Sequence, residues 1–535
     1  MKKLISLLLC LCLILTLTPA FSLAGKADAD GFKAFIATDI HHSVVESVPK
    51  ENGNYVYCNS LGLTPTLAPA LLDEFLRQAA ESDTDYVFLT GDLADIPDIA
   101  QAKKVAQKLA RFEKSTKKKV FVINGNHDVD YTGKAAPGRV TVKDFKKIYA
   151  KLGYNEALCV DKNTCSYTAQ LKGGYRLIAI DAVDRPGEGG ATVTPKLAKW
   201  IRAQAADAKK HGQKLVALMH HPLMNHFTLM SKLLPIFVVS NSEEACKLFA
   251  ECDIGLVFTG HFHQNDIAVY HGERDVYDAE TTSLSCYPNA YRTLTFKNGS
   301  ADIRTVGIER IDTSNLPKGY TKAMKKQIKT DLSGYAYERL VEDSTKRIHS
   351  YFNAEKISGM LGLTDPLSQR ALELLLSALD KGFDLPLYGK KNSVSAYAKD
   401  IGLKIPKTDY RTLNDAACAF IAAQFSGDEH FDTKSPLFRV LFYGVIAILS
   451  HEATKSANPA VNAAVQAALL QAGAVLLQKL QFEMEAKLLL SVVRSSTNPQ
   501  VMLNTLMSAA EPLFVGLTMD REPQDNNVVL PVYSK

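Results

Sequence analysis

The chain has 535 residues, a formal charge of +5 at neutral pH and a hydrophobic share of 46%. That length exceeds what one hydrophobic core usually holds, so two domains are expected. So small a charge on so long a chain gives no ground for a nucleic-acid-binding surface or for adhesion to anionic lipid.

At the N-terminus, Lys2-Lys3 precede an apolar stretch from Leu4 to Leu17, followed by Pro19 and the small-residue site Ser22-Leu23-Ala24. Residues 1–24 therefore read as a Sec-type signal peptide cut after Ala24, which places the mature protein in the cell envelope or outside the cell. An uncleaved anchor is the competing reading, and its apolar core is short for a span. Losing Lys2 and Lys3 leaves 5 − 2 = +3. No second run reads as long and apolar enough to cross a bilayer, because Leu437 to Leu449 is short and carries Arg439. Seven of the nine cysteines remain once Cys10 and Cys12 leave, and an odd number cannot all pair internally. Cys159 and Cys165 flank the turn-like Asp161-Lys162-Asn163 and could close a hairpin disulfide. Cys246 and Cys252 share that spacing; buried free thiols are the alternative for both pairs. Zinc-finger spacing is absent.

From Phe32 to about Ile308, strands and helices alternate. Strands are predicted at Phe32 to Thr38, Asp85 to Thr90, Val120 to Ile123, Tyr175 to Asp181, Lys214 to Met219 and Ile254 to Thr259. Helices are predicted at Ala68 to Ala80, Ile99 to Phe112, Val142 to Leu152, Pro195 to Lys210 and Ser242 to Glu251. Shorter extended runs follow at Asp266 to Tyr270, Asp275 to Ala279, Tyr291 to Phe296 and Ala301 to Val306. The pattern predicts a mostly parallel sheet giving way to a β-rich end, with helices outside.

Composition shifts after Glu309. Beyond the turn-rich Ser314-Asn315-Leu316-Pro317-Lys318-Gly319, the pattern is helical almost throughout, and residues 320–520 are read as a helical C-terminal domain. Asp365 as N-cap, Pro366 in the first turn, Leu372, Leu375, Leu376 and Leu379 on one face, and Gly382 past the end describe one helix. Asn458-Pro459 starts another, with Val461, Val465, Leu469, Ala472, Leu476 and Leu480 repeating every three or four residues. These leucine stripes read as core.

Five apolar strands of the first region end in polar clusters: Asp39-Ile40-His41, Gly91-Asp92, Asn124-Gly125-Asn126-His127-Asp128, His220-His221-Pro222 and Gly260-His261-Phe262-His263. Strand mouths of α/β sheets are where ligands bind. Asp39 with His41, and His261 with His263, lie two apart on extended chain and form chelating pairs. Imidazole, carboxylate and amide oxygen without thiolate suit divalent manganese, iron, zinc or nickel. So many donors suit two ions, with Asp92 at the middle strand mouth as the natural bridge.

In this order the five clusters resemble the calcineurin-like metallophosphoesterase signature, over roughly residues 32 to 308. The resemblance implies an α/β four-layer sandwich over residues 30–310, followed here by the all-α domain. It implies one metal on Asp39, His41, Asp92 and His263, and another on Asp92, Asn126, His220 and His261, with His221 structural. Two cations about 3.5 to 4 Å apart lower the pKa of a bridging water and clamp phosphoryl oxygens. His127, in the family's non-ligand position, is expected to protonate the departing oxygen, with Asp128 orienting its imidazole.

Within that family the chain looks most like the class III cyclic-nucleotide phosphodiesterases, so a small phosphate diester is the expected substrate. A phosphomonoesterase or nucleotidase is the alternative, and an envelope binding protein the non-enzymatic one. Ser43 to Thr66, with Tyr55 and Tyr57 either stacking on a base or merely packing, and Val183 to Thr194, with Arg185 either on a phosphate or simply solvated, are candidate specificity segments. The unusually apolar Leu223 to Asn241 either packs on the helical domain or lids the site; the helical domain itself either meets an unknown partner or covers the site.

Overall fold

The computed structural model describes residues 31–43, 50–51, 54–55, 62–134, 136–317, 319–361, 364–427, 431–495, 499–518 and 523–532. The signal peptide expected at residues 1–24 lies outside them, as do Tyr57, Cys58 and the side chain of Tyr55.

Where the sequence pattern suggested one sheet, the strands sort into two mixed sheets. The first has six strands in the order Asn527–Pro531, Ser300–Gly307, Ala290–Lys297, Phe32–Ala37, Tyr86–Leu89, Lys119–Val122. The second has seven: Asp266–Tyr270, Val276–Glu280, Leu256–Thr259, Lys214–Met219, Tyr175–Ile180, Tyr167–Gln170 and Ala157–Val160. The interior of each sheet is parallel: Phe32–Ala37 runs with Tyr86–Leu89 and that with Lys119–Val122, while Lys214–Met219 runs with Tyr175–Ile180 and Leu256–Thr259. The hairpin of Ala157–Val160 and Tyr167–Gln170 adds two strands that the periodicity did not announce.

Strand alternation explains how the sheets stack. Leu177, Ala179, Val216 and Leu218 point into the same buried cluster as Phe32, Phe88, Phe121 and Phe296 of the other sheet. Ile178, Ile180, Ala217 and Met219 point the other way, onto the helices Pro195–Lys210 and Ser242–Glu251. Between the sheets, Tyr175 meets Phe32 edge-on at 5.3 Å and Phe296 at 5.5 Å between centroids. Each such ring removed from water contributes roughly 1.5–3 kcal/mol. The helices Ala68–Glu81 and Ile99–Thr116 cover the outer face of the first sheet through Leu71, Phe75, Val105 and Leu109. The result is helix, sheet, sheet, helix.

Local chemistry sets the helix starts. Asp98 accepts from the backbone N–H of Ala100 and Gln101 at 2.9 and 3.0 Å, and Thr194 caps the helix opened by Pro195. Asn458 caps Pro459–Lys479 through the Ala460 N–H, at 2.9 Å. Gly382 does not lie past the end of its helix: Pro366–Phe383 includes it, and a Cβ there would come within 2.5 Å of the Ile448 side chain. Glycine at this position serves the close approach of two helices.

The helices run from Lys322–Thr330 to Pro499–Val515, after which the chain returns to the first sheet. Asn527–Pro531 pairs antiparallel with Ser300–Gly307. Just before it, Asp525 accepts from the Ile267 N–H at 2.9 Å, and its carbonyl accepts from the buried Arg292 guanidinium, which also donates to the Glu280 carbonyl at 2.6 Å. The helical unit is thus inserted between two neighbouring strands and tied at both ends.

Two expectations need correction. Among the described residues, Pro436–Thr454 and Pro459–Lys479 are long and apolar enough to cross a membrane. The first helix continues through residues 450–454 beyond the apolar run that had been counted, and the second is built largely of alanine and leucine. Arg185 is neither solvated nor free for a phosphate, because it forms a two-pronged ion pair with the buried Asp181 at 2.8 and 3.1 Å. Cys159, Cys165, Cys246 and Cys252 are free thiols, the alternative to the hairpin disulfides.

Ending the chain after residue 518 should expose the edge of Ser300–Gly307, strip Arg292 and Ile267 of Asp525, and lower the unfolding temperature by several degrees. A melting curve that does not move would show that the returning strand carries no stability.

Candidate metal centre

Five parallel strands deliver the candidate ligands. Phe32–Ala37 leads to Asp39 and His41, Tyr86–Leu89 to Asp92, Lys119–Val122 to Asn126, Lys214–Met219 to His220, and Leu256–Thr259 to His261 and His263. All seven come together at the shared C-terminal mouth of the two sheets, as α/β strand ends do around ligands. Holding them there strains the backbone: Asp39, His41, Asp92, His261 and His263 have φ of 49°, 47°, 48°, 74° and 66°. Non-glycine residues rarely occupy that region, and each costs of order 1–3 kcal/mol.

Two motif glycines make room for the neighbouring carboxylates. A Cβ on Gly125 would lie 2.0 Å from Asp92 Oδ1, and one on Gly260 would lie 2.4 Å from Asp39 Oδ2. Those same oxygens are bound by backbone: His127 N–H donates to Asp92 Oδ1 at 2.8 Å and His261 N–H to Asp39 Oδ2 at 2.9 Å. Thr38 Oγ1 adds a bond to Asp39 Oδ2 at 2.7 Å. One oxygen of each carboxylate is therefore fixed, and the other faces the cluster.

Around the inward oxygens, the imidazoles converge. Asp39 Oδ1 lies 3.2 Å from His263 Nε2, 3.8 Å from His41 Nε2 and 3.9 Å from His220 Nε2. Asp92 Oδ2 lies 3.2 Å from His220 Nε2, 3.7 Å from His41 Nε2 and 4.0 Å from His127 Nε2. Asn126 Oδ1 stands 3.1 Å from His220 Nε2. Three overlapping groups have donor spacing that suits a cation: Asp39 with His41 and His263, His41 with Asp92 and His127, and Asp92 with His220 and His261. Asp39 Oδ1 and His41 Nε2 are buried without any hydrogen-bond partner. Lone pairs aimed at one another in a buried site repel unless something positive sits among them, so this donor set fits divalent metal ions.

Two outer nitrogens are hydrogen-bonded: His220 Nδ1 meets the Thr90 carbonyl at 2.9 Å and His263 Nδ1 lies 3.4 Å from Cys286 Sγ, while His41 Nδ1 stands at ion-pair distance, 3.4 Å, from Asp95 Oδ1. His221 points away from the carboxylates to the Gly189 carbonyl at 2.8 Å, while its ring packs on that of His261. Burial and the neighbouring His220 push its pKa down to about 3, so it is neutral and structural.

One expected role fails. Asp128 does not touch the His127 imidazole; its buried carboxylate accepts from the backbone N–H groups of Leu93, Ala94 and Gly125 at 3.2, 3.0 and 2.8 Å. It braces the two ligand turns against each other. The partner of His127 Nδ1 is the Asp95 carbonyl, at 2.7 Å. Asp95 thus serves His127 through its backbone and His41 through its carboxylate, and the sequence reading missed it. Its signal was its place three residues after Asp92, on the same turn.

Charge at the cluster follows from burial and pairing. Burial would raise the Asp39 carboxyl, but His263 and His220 outweigh it and hold Asp39 well below the usual carboxylate range. Asp92 is lowered in the same way, chiefly by His220 and His127. Burial would lower His220, yet Asp92 and Asp39 carry it up to about 9. His127, whose side chain is 42% exposed at the mouth, is raised despite desolvation by Asp92 and the Asp95 carbonyl.

The family model described as calcineurin-like phosphoesterase matches residues 32–265. No curated protein matches the chain. Solved structures with some likeness include a dimetal phosphatase from Danio rerio, with 10% identity over 52% of this chain and 96% of that one and a TM-score of 0.38. A predicted phosphoesterase from Streptococcus pneumoniae has 11% identity over 52% and 89%, with a TM-score of 0.23. Phosphopantetheinyl hydrolase from Mycobacterium tuberculosis has 11% identity over 48% and 90%, with a TM-score of 0.25.

Replacing Asp92 with Ala should remove at least one equivalent of bound metal, read by elemental analysis of the dialysed protein; unchanged stoichiometry would refute a shared position for this carboxylate. Because His220 titrates at about 9 in the metal-free protein, it carries a proton at neutral pH that a cation must displace. Metal affinity should therefore rise with pH and level off above about 9, with proton release detected by calorimetry in buffers of different ionisation enthalpy. Affinity that stays flat through the neutral range would contradict this.

Proposed function

Taking as premise that residues 32–265 are a calcineurin-like phosphoesterase domain, which makes this chain a metal-dependent phosphoester hydrolase, we propose that it cleaves phosphodiesters at a centre of two divalent cations. The observation that carries the two-cation reading is the position of Asp92, whose Oδ2 has His41 and His127 to one side and His220 within 3.2 Å. One ion would be held by Asp39, His41, Asp92 and His263, and the other by Asp92, Asn126, His220 and His261. Bound there, manganese, iron, zinc or nickel would supply Lewis acidity to a solvent nucleophile and to the phosphoryl oxygens.

The protein's own groups orient and protonate. His127 presents Nε2 at the mouth because its Nδ1–H is committed to the Asp95 carbonyl. With the nearby Asp92 charge favouring its protonated form, it donates a proton to the leaving oxygen. Asp128 acts through the turns, keeping Asp92 and His127 in register.

Charge supports a diester over a monoester. Among the described residues, no lysine or arginine forms an ion pair with Asp39, Asp92 or Asp95, and Arg185 is committed to Asp181. Apart from a protonated His127 and the ligand histidines, the described residues pair no side-chain cation with these carboxylates to meet the second negative charge of a phosphomonoester, and a singly charged diester makes less demand on the site. The leader read at residues 1–24 supports action in the cell envelope or outside the cell.

The metal-reconstituted protein should turn over bis(p-nitrophenyl) phosphate with a kcat/KM at least about tenfold above that for p-nitrophenyl phosphate; the opposite ratio would make it a phosphomonoesterase. His127→Ala should slow esters with poor leaving groups by about 10²–10⁴-fold and those with good leaving groups far less. Equal losses on both would remove the proton-donor role.

A further inference from the structure

Six consecutive residues outside the ligand set, Thr281-Thr282-Ser283-Leu284-Ser285-Cys286, are fully buried although four of them carry hydroxyls. They follow directly on the strand Val276–Glu280. Serine and threonine are mostly exposed in folded proteins, and a buried hydroxyl needs a hydrogen-bond partner. Here three of the four find theirs on the backbone of two ligand turns. Ser283 Oγ donates to the Asp39 carbonyl at 2.7 Å, Ser285 Oγ to the Ile40 carbonyl, and Thr282 Oγ1 to the His263 carbonyl at 2.9 Å. The main chain adds to these: Leu284 N–H donates to the Thr38 carbonyl at 3.1 Å, beside a parallel bridge between Thr38 and Ser283.

The last residue of the run reaches a ligand side chain. Cys286 Sγ lies 3.4 Å from His263 Nδ1, and the opposite nitrogen of that ring, Nε2, stands 3.2 Å from Asp39 Oδ1. When Nε2 is offered to a cation, the ring hydrogen sits on Nδ1 and donates to sulfur, so the thiol sets the rotation of the imidazole. Asp39 and His263 come from opposite ends of the catalytic region, and this one run is bonded to the turns of both. It is held from behind as well. Cys286 shares a buried cluster with Leu340, Ala422 and Phe425 of the helical unit, and the Tyr287 ring meets that of Tyr337 edge-on at 5.5 Å between centroids. Thr64 fastens the run through its N–H and hydroxyl, which donate to the Ser285 carbonyl at 2.9 and 2.7 Å.

We propose that residues 282–286 are the positioning element of one of the two cation sites, the one built on Asp39 and His263, and that Cys286 is the positioning residue for its imidazole. Ser283 and Ser285 hold the Asp39 turn, Thr282 and Cys286 hold His263, and the run between them sets how far apart the two donors stand. This rests on the two-cation reading and makes the support of the two sites unequal. Among the described residues, no hydrogen bond joins the run to Asp92, Asn126, His220 or His261. His220 Nδ1 is held instead by the Thr90 carbonyl, on a different turn. A disturbance of the run therefore reaches the Asp39 and His263 ion first, because a ligand that loses the partner orienting it binds metal more weakly.

The test is calorimetric titration of the metal-free full chain with manganese(II), native and variant, together with the visible spectrum of the cobalt(II)-loaded protein. Cys286→Ala should weaken one of the two equivalents by about 10–100-fold, leave the other within about twofold, and shift the cobalt bands. Cys286→Ser, which returns an acceptor to that place, should bind the weakened equivalent at least about threefold more tightly than Cys286→Ala does. Ser283→Ala, which removes no contact with an imidazole, should weaken that same equivalent, and it decides the matter where Cys286→Ala does not fold. Unchanged affinity, equal losses at both equivalents, or a serine variant no better than the alanine one would overturn the inference. A native chain that takes up fewer than two equivalents would instead overturn the two-cation reading, before any variant is compared.

Discussion

Two buried carboxylates, each with one oxygen tied to backbone and the other aimed into a ring of imidazoles, are the constraint around which the rest of the molecule is built. Asp39 and Asp92 have essentially no exposure, and a buried charge costs several kcal/mol unless it is paired. Without cations, protons on His220 and His263 do the pairing. The left-handed backbone at five ligand positions adds strain. Both costs are borne by the sandwich beneath, whose facing sheets close over aromatic rings and leave the strand mouths no freedom to relax.

Much of this was legible because strand ends are chemically abrupt. Runs such as Val87-Phe88-Leu89 and Val257-Phe258 stop at glycine followed by aspartate or histidine, and that change of polarity places a ligand at a strand mouth whatever sheet the strand joins. Which sheet it joins was not legible. Alternation of strand and helix is the same whether successive strands pair or diverge, so the pattern alone gave one sheet, and the four-layer sandwich with its two sheets came from the family resemblance. Asp128 was misjudged because it follows His127 in sequence, although neighbours on a tight turn point in different directions, and its carboxylate reaches the amides of Leu93 and Ala94 instead. Asp95 was passed over because it sits on an irregular turn, where no periodicity marks a side chain as inward.

The C-terminal strand was hidden for a different reason. Asn527–Pro531 is five residues long, ends in proline and follows a long helical region, so nothing local distinguishes it from a tail. Its partner, Ser300–Gly307, lies more than two hundred residues earlier, and proline is tolerated because the strand is at the sheet edge. The helices it follows were misjudged as well: an apolar run was counted to Leu449, whereas helical hydrogen bonding ignores the polar residues that interrupt hydropathy and carries Pro436–Thr454 further.

The returning strand also determines what the helical unit can do to the site. Arg292 bridges the carbonyls of Asp525 and Glu280, and Glu280 Oε1 accepts from the N–H of Phe262, the residue between His261 and His263. From the other side, His226 of the apolar loop is buried between Asp266 at 2.5 Å and Asp278 at 3.3 Å, while Leu229 of that loop bonds to Gly516. Both ties end beside the His261 turn: on Val276–Glu280, which pairs with Leu256–Thr259 and Asp266–Tyr270, and on Asp266, at the start of the strand that follows the turn. A domain joined by one linker swings freely, but one joined at its start, at its end and through the loop beside the ligands is held in a single orientation. The helical unit is therefore tied to the elements that position the His261 turn, and a disturbance at its interface reaches that turn through Glu280 and His226.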